Sequence, residues 1–264
     1  MTPEPYYQDG GITLYCGDLF EVTRALLAQP GWADKLITIT DPPYNVGMDY
    51  GGAVDDNRSP DAYANWSNDW FQLVPRPLLL TPGQVNMELW CAYIEWPTAI
   101  LPWVKPNQTS PSRLGGFNAW EAILLYGKLP RRLGHDAWVM PIGQQAEVQG
   151  RKWYGGEPAK RHPCPKYLPF WLKLIGNVTA PGWRVFDPFA GSGTTLLACK
   201  RLGLEAIGIE ISSGYCDLII ERLQQEVLDL PEARVDETSN YRLEQQRLAL
   251  AAPWAEAETG APNL

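Results

Sequence analysis

The chain has 264 residues and carries 22 Lys and Arg against 30 Asp and Glu, a net charge of −8. Its 45% hydrophobic and 20% charged content supplies enough apolar material for one large core, which excludes a mostly disordered chain, a collagen-like chain and a coiled coil. The charge is uneven: residues 1–104 hold 4 basic and 13 acidic side chains, 105–173 hold 11 and 4, and 174–264 hold 7 and 13. A cationic segment inside an acidic chain is either a meeting place for a polyanion such as nucleic acid or a solvated basic face.

The five cysteines, Cys16, Cys91, Cys164, Cys199 and Cys216, show no paired spacing, as expected of reduced thiols in a cytoplasmic protein. With only His135 and His162 as histidines, a zinc site is not expected. Residues 1–10 lack the basic start and apolar run of a signal peptide, and no stretch approaches the roughly 20 apolar residues of a membrane span.

In chain order, residues 13–15 read as a short strand and 19–27 as a helix stopped by Pro30 and Gly31. The β-branched run 36–40 reads as a strand that stops where Pro42 and Pro43 remove backbone donors. Residues 45–68, rich in Gly, Asp, Asn and Ser, read as a long functional or mobile loop. The pattern then predicts a helix over 69–80 kinked by Pro75 and Pro77, strands over 84–90 and 120–126, and an irregular insertion over 129–160. A helix over 166–175, a strand over 184–186, a helix over 194–201 closed by Gly203, a strand over 206–211 and a Ser213-capped helix over 214–228 complete the core. Strands alternating with helices imply a parallel-rich sheet covered on both faces. Beyond Pro231 the chain is polar and Ala-rich, with an amphipathic pattern over 241–250.

Two motifs carry chemistry. In the first, Val185-Phe186-Asp187-Pro188-Phe189-Ala190-Gly191-Ser192-Gly193-Thr194-Thr195, a strand enters a glycine-rich turn that opens a helix with free N–H groups. Glu210 lies 19 residues after Gly191, at the end of the next strand, where a nucleotide-binding sheet places a carboxylate on ribose hydroxyls. The bland alternative is an ordinary tight turn.

The second motif is Asp41-Pro42-Pro43-Tyr44 at a strand end. A nucleobase amine is a poor nucleophile because its lone pair is delocalised into the ring. Asp41 can accept one amino hydrogen and the rigidly aimed carbonyl of Pro42 the other, drawing the nitrogen toward a pyramidal geometry and stabilising positive charge as it attacks a methyl group. Tyr44 offers a flat ring on which a base removed from its helix can stack.

With these residues the chain resembles the S-adenosylmethionine-dependent amino-methyltransferases of DNA, in the permuted β group, where the Asp-Pro-Pro-Tyr motif precedes the glycine-rich one. The resemblance runs from about 16 to 228. It takes in Cys16-Gly17-Asp18, Trp103-Val104-Lys105-Pro106-Asn107 followed by Glu121-Ala122-Ile123-Leu124-Leu125-Tyr126, and His162-Pro163-Cys164-Pro165-Lys166-Tyr167. The last is similar to the family's His-Pro-Thr-Gln-Lys-Pro, departing from it at Cys164 and Pro165.

The resemblance implies a Rossmann-like α/β fold with a mixed, mostly parallel sheet, helices on both faces and a small irregular insertion. It implies a catalytic domain over 1–230 and a polar tail over 231–264. It assigns Asp41, Pro42, Pro43 and Tyr44 to the target base. To the cofactor, S-adenosylmethionine, it assigns Asp18, His162, Lys166, Asp187, Phe189, Gly191, Ser192, Gly193, Thr194 and Glu210. Target recognition falls in 129–161, where Arg131, Arg132, Arg151, Lys152, Lys160 and Arg161 would meet double-stranded DNA and Trp138, Trp153 and Tyr154 would stack on or wedge beside a base. The loop 46–68 would be a lid.

The expected activity is site-specific adenine-N6 methylation, with cytosine-N4 methylation as runner-up and a non-catalytic nucleic-acid-binding relative as the third reading. Several members of the group pair as homodimers.

Overall fold

The computed structural model describes residues 3–48, 55–109, 116–142 and 166–228, with the strand residues 146–148, 151–154 and 157–158 and the helix end 226–228 described as backbone. Two units separate, 1–224 and 225–264; of the second, the described part is the end of one helix.

An edge hairpin opens the first unit: β1 (Tyr7–Asp9) pairs antiparallel with β2 (Ile12–Cys16). The helix α1 (Leu19–Leu27) follows, capped by Asp18, whose Oδ1 accepts from the N–H groups of Phe20 (2.8 Å) and Glu21 (3.2 Å). Its stripe of Leu19, Val22 and Leu26 is buried. The expected strand is β3 (Leu36–Thr40), buried throughout.

The long loop is shorter than its composition suggests. Ser59 caps a helix, Pro60 occupies its first turn, and α2 (Pro60–Leu73) buries Tyr63, Ser67, Trp70 and Phe71. Before it, Asp56 folds the chain back by accepting from the N–H groups of Asn45 (2.7 Å), Val46 (3.1 Å) and Met48 (2.8 Å). Of the expected lid over 46–68, residues 49–54 lie outside the described residues; the described part is a turn pinned on Asp56 and the packed start of α2.

The kinked helix over 69–80 is also corrected. Pro75 and Pro77 follow the end of α2, and β4 (Leu78–Leu80) is a strand between two partners. Residues 84–90 form no strand; they make a turn of 3-10 helix over Gln84–Asn86 and enter a wide π turn over Leu89–Ile94, with Trp90 packed against Trp70 and Phe71 of α2.

The antiparallel pair β5 (Ala99–Val104) and β6 (Trp120–Tyr126) extends the sheet. The insertion is more regular than expected: β7 (Trp138–Val139) joins β5, while β8 (Ala146–Val148), β9 (Arg151–Tyr154) and β10 (Glu157–Pro158) form a separate three-stranded antiparallel sheet. Then come α3 (Leu168–Val178), β11 (Arg184–Asp187), α4 (Thr194–Leu202), β12 (Ala206–Glu210) and α5 (Ser213–Leu228), all close to the sequence reading.

The main sheet has the order β1-β2-β12-β11-β3-β4-β6-β5-β7. Its central strands β2, β12, β11, β3 and β4 are parallel neighbours. Alternate side chains feed two cores, as a sheet buried on both faces requires. Ile37, Ile39 and Val185 pack with Trp171, Leu196 and Ile219 of α3, α4 and α5. Leu36, Phe186 and Leu78 pack with Leu26 of α1 and Trp70 and Phe71 of α2.

The chain leaves β3 toward β4 and leaves β11 toward β12, in opposite directions along the sheet. The crevice between the carboxyl ends of β3 and β11 is thus the topological switch point, where open α/β sheets bind ligands. Asp41 immediately follows β3, and Asp187 ends β11. Among the described residues, no helix is long and apolar enough to cross a membrane.

Candidate active site

The two motif turns touch. Thr40, the last residue of β3, donates its hydroxyl to Asp187 Oδ1 at 2.7 Å, and the Phe189 N–H reaches the same oxygen at 3.1 Å. A wall of α2 spans both turns: Tyr63 Oη donates to the Pro43 carbonyl at 2.7 Å, while Trp66 and Trp70 pack edge-on against Phe189 with centroids 5.6 and 5.1 Å away.

In the glycine-rich turn, Glu210 Oε2 accepts from Gly191 N–H (2.8 Å) and its Oε1 from Ser212 N–H (2.9 Å). The turn's glycines divide their work. Gly193 has φ +80° and opens α4, but a Cβ there would lie 2.8 Å from Ile219 of α5. Its missing side chain makes room for α5. Ser192 is buried, and the hydroxyl of Thr194 is buried without a hydrogen-bond partner.

Asp187 and Glu210 are both buried, and among the described residues neither has an ion-pair partner. Burial pushes the Asp187 carboxyl up to about 6 against the hydrogen bonds of Thr195, Thr40 and Phe189. Burial likewise pushes Glu210 up to about 7 against the N–H groups of Ser212 and Gly191.

Two acids without cations, an unsatisfied hydroxyl and the aromatic wall of Phe189 form a cradle whose chemistry suits a cationic nucleoside. Carboxylate lone pairs can take ribose hydroxyls, and the acids regain their charge beside a cation. The residues present therefore fit S-adenosylmethionine, with Glu210, Asp187, Phe189 and Thr194 as the groups that would hold it.

Asp18 lies at the same edge, since Gly17 N–H donates to the Glu210 carbonyl at 2.9 Å. Its Oδ1 is committed to capping α1, so the cofactor contact that the resemblance assigns to it has competition.

Around Asp41 three donors converge on Oδ1: the Tyr44 hydroxyl at 2.5 Å, the Lys166 ammonium at 2.9 Å and the Thr81 hydroxyl. None of them is on Oδ2. Burial and the Asp41 charge push the Tyr44 hydroxyl well up, so it stays a donor. The Tyr44 ring lies against Gly83, where φ is +66° and a Cβ would come within 2.9 Å of the ring. Asn86 Nδ2 holds the Tyr44 carbonyl at 2.9 Å.

Lys166, which the resemblance assigns to the cofactor, has its Nζ against the base turn, where it meets Asp41 Oδ1, Glu121 Oε1 (2.7 Å) and Tyr44 Oη (2.8 Å). Three hydrogens meet three acceptors. Glu121 is held in turn by Lys105 at 3.1 Å. Burial opposes a charge on Glu121, but Lys166 and Lys105 outweigh it and hold the carboxyl at about 2. Burial also opposes the Lys166 charge, and Asp41 and Glu121 outweigh it, raising Lys166 well above its ordinary value.

Thr81 is not among the residues the sequence assigns to the site, and Glu121 enters only at the head of the 121–126 segment, which resembles the family's support for the target-base pocket. A single acid heading the apolar run Glu121–Tyr126, within a segment holding only three other acids, was the available signal.

The expected DNA-facing residues are only partly placed. Arg132 is exposed, whereas Arg131 donates to the Gly176 carbonyl at 3.3 Å and so packs on α3. Trp138 is 5% exposed and packs edge-on against Phe170 at 6.0 Å, which corrects its expected role as a wedge. Arg151 and Lys152, with Trp153 and Tyr154, lie on β9. Lys160, Arg161 and His162 lie outside the described residues.

A fold with two chemically distinct turns at one switch point defines a Rossmann-like transferase architecture. The model of the N6/N4 DNA methylase family matches residues 36–221, and the chain belongs to that family of DNA amino-methyltransferases. It is 28% identical to the type II methyltransferase M.HpaI of Haemophilus parainfluenzae, over 72% of this chain and 68% of the relative. To M.ScaI of Streptomyces caespitosus it is 25% identical over 86% of each chain. Among solved structures, M1.HpyAVI in complex with SAM superposes with a TM-score of 0.54 at 24% identity, covering 80% of this chain and all of that one. The cytosine-N4-specific PvuII DNA methyltransferase superposes with a TM-score of 0.58 at 14% identity, covering 94% and 96%. At these identities the superpositions speak for the fold.

Proposed function

We propose that the chain transfers a methyl group from S-adenosylmethionine to the N6 amine of an adenine flipped out of double-stranded DNA at a specific sequence. The observation that carries this reading is the Thr40–Asp187 hydrogen bond of 2.7 Å, which sets the base turn beside the cofactor turn. When bound, S-adenosylmethionine supplies a methyl carbon activated by its sulfonium.

The protein's own part is to hold the amine. Asp41 Oδ2 accepts one amino hydrogen while Oδ1 stays fixed by its three donors. Tyr63 occupies the Pro43 carbonyl, and the Pro42 carbonyl is assigned to the second amino hydrogen. Both acceptors stabilise positive charge on nitrogen as it attacks. The methylated amine is strongly acidic and loses its proton to Asp41 or to water, so no separately tuned general base is needed.

Adenine is favoured because Asp heads the motif, an adenine habit in the family pattern that the sequence resembles. Arg132 is a cation available to phosphate.

The test is expression in a host lacking DNA methylation, followed by mass spectrometry of nucleosides. N6-methyladenine is expected, and N4-methylcytosine would replace the proposal with its runner-up. The Asp41→Ala variant should lose transfer while binding cofactor as before. Cofactor binding by the native chain with no methylated base of either kind would mark a non-catalytic relative.

A further inference from the structure

A largely buried row of alternating charge, most exposed at its Asp41 end, runs from β5 to the base turn: Lys105, Glu121, Lys166, Asp41, with successive separations of 3.1, 2.7 and 2.9 Å. Their side chains are 9%, 15%, 17% and 24% exposed, so water screens the pairs poorly. The row is built from four separate segments, the last being Asp41 after β3. Lys105 follows β5, Glu121 sits on β6 opposite Trp103, and Lys166 precedes α3.

Such a row is costly to bury, and a purely structural ion pair could be replaced by apolar packing without loss. This one ends on the single carboxylate that the proposed reaction uses. The Lys166 ammonium has no hydrogen left for another ligand, and both of its charged contacts and its contact to Tyr44 are inside the base turn's surroundings.

We propose that Lys166 is a positioning residue for methyl transfer: it clamps Asp41 Oδ1 so that Oδ2 is presented to the incoming amine, and Glu121, braced by Lys105, holds Lys166 for that task. This rests on the reading that Asp41 binds the target amine. The clamp does two things. It removes rotation of the carboxylate, so the acceptor is already aimed when the base arrives. It also fixes a cation 2.9 Å from Oδ1, a charge-assisted hydrogen bond stronger than a neutral one.

The contacts of Lys166 are to Asp41, Tyr44 and Glu121, and none is to Asp187 or Glu210 among the described residues. A defect in Lys166 should therefore appear in the rate of transfer and leave cofactor affinity alone. A lysine bound to the cofactor's carboxylate would behave the opposite way.

The experiment compares Lys166→Met, Lys166→Arg, Glu121→Gln and Asp41→Ala with the native chain in single-turnover methylation of a DNA substrate, with cofactor affinity measured by calorimetry using S-adenosylhomocysteine. Loss of one charge-assisted hydrogen bond predicts a fall in the transfer rate of about 10- to 100-fold for Lys166→Met. KM for DNA and cofactor affinity should stay within about twofold, since uniform binding is not what the clamp supplies. Lys166→Arg should recover at least part of the rate, and Glu121→Gln should lower it in the same direction by a smaller factor.

Should Lys166→Met fail to fold, Glu121→Gln and Lys166→Arg carry the test. A native rate in Lys166→Met or Glu121→Gln would overturn the clamp, and so would weakened cofactor binding with an unchanged transfer rate. Asp41→Ala separates the two levels of argument. If it still transfers methyl groups, the proposed function itself fails; if it is inactive while Lys166→Met is fully active, only the clamp fails.

Discussion

The Thr40 hydroxyl donates to Asp187 Oδ1 at 2.7 Å, across the boundary between two parallel strands whose ends carry different halves of the site. The bond is buried, with Thr40 1% and Asp187 3% exposed. Thr40→Val keeps the shape and leaves a buried carboxylate short of a donor. The expected cost is about 1–3 kcal/mol of stability, read as a lower midpoint in urea. Cofactor affinity should fall with it, because Asp187 would be protonated over a wider range. A variant as stable as the native chain would show that the bond joins the two turns without supporting either.

Glu210 links cofactor affinity to pH. Its carboxyl lies at about 7 in the fold against an ordinary 4.5, with burial as the leading cause. A raised acid binds its proton more tightly when folded. Its contribution to stability is therefore complete below about 4.5 and is lost as pH rises through about 7. A cationic ligand favours the ionised form, so affinity for S-adenosylmethionine should increase from pH 6 to pH 8. Calorimetry in buffers of different ionisation heat should show proton release on binding at pH 6.5. Glu210→Gln should remove most of that release, leaving the part due to Asp187, whose carboxyl sits at about 6.

Gly83 is a position where backbone and ring compete for one space. With φ at +66° and a Cβ position 2.9 Å from the Tyr44 ring, Gly83→Ala must both strain the backbone and displace the ring. A loss of about 1–3 kcal/mol is expected from the strain and overpacking together. Methyl transfer should slow while cofactor affinity stays put, because Gly83 borders the base turn and not the glycine-rich one. Unchanged kcat in Gly83→Ala would mean that Tyr44 has room to retreat.

The neighbouring arginines of the insertion should separate by function. Arg131 is tied to the Gly176 carbonyl, and Arg132 is exposed. Arg132→Ala should weaken DNA binding across sequences and reduce the slope of log affinity against log salt by about one. Arg131→Ala should lower thermal stability and leave that slope nearly unchanged. Equal slopes for Arg132→Ala and the native chain would remove Arg132 from the DNA-facing surface.

The helix Leu19–Leu27 and the strand Leu36–Thr40 were legible because their signals act over a few residues. Asp18 caps, Leu19, Val22 and Leu26 make a stripe, and two prolines follow a β-branched run. The stretch 69–94 was misread for a physical reason. Three consecutive leucines have no period, and Leu78–Leu80 is a strand because β3 and β6 pair with it on either side. Gln84–Trp90 is in no strand ladder; its Trp90 instead packs on Trp70 and Phe71 of α2. Trp138 looked like an exposed aromatic in a basic segment. It is buried because β7 pairs with β5 and sets it against Phe170. Within the site, Asp41, Tyr44, Asp187 and Glu210 were legible from motif and spacing; Thr81, the role of Glu121 and the direction of Lys166 were not.

The sequence by itself determined two stiff turns, one made by prolines and one by glycines, and the acids that sit on them. Ring closure and the freedom of a missing side chain act within a residue or two. Only the tertiary structure decided that these turns are neighbours and that Lys166 serves the carboxylate of Asp41. The contacts that establish this, Thr40 to Asp187 and Lys166 to Asp41, join residues 147 and 125 positions apart, through the order of strands in a sheet. Strand order follows from which buried faces can be covered together, and no local pattern along the chain records it.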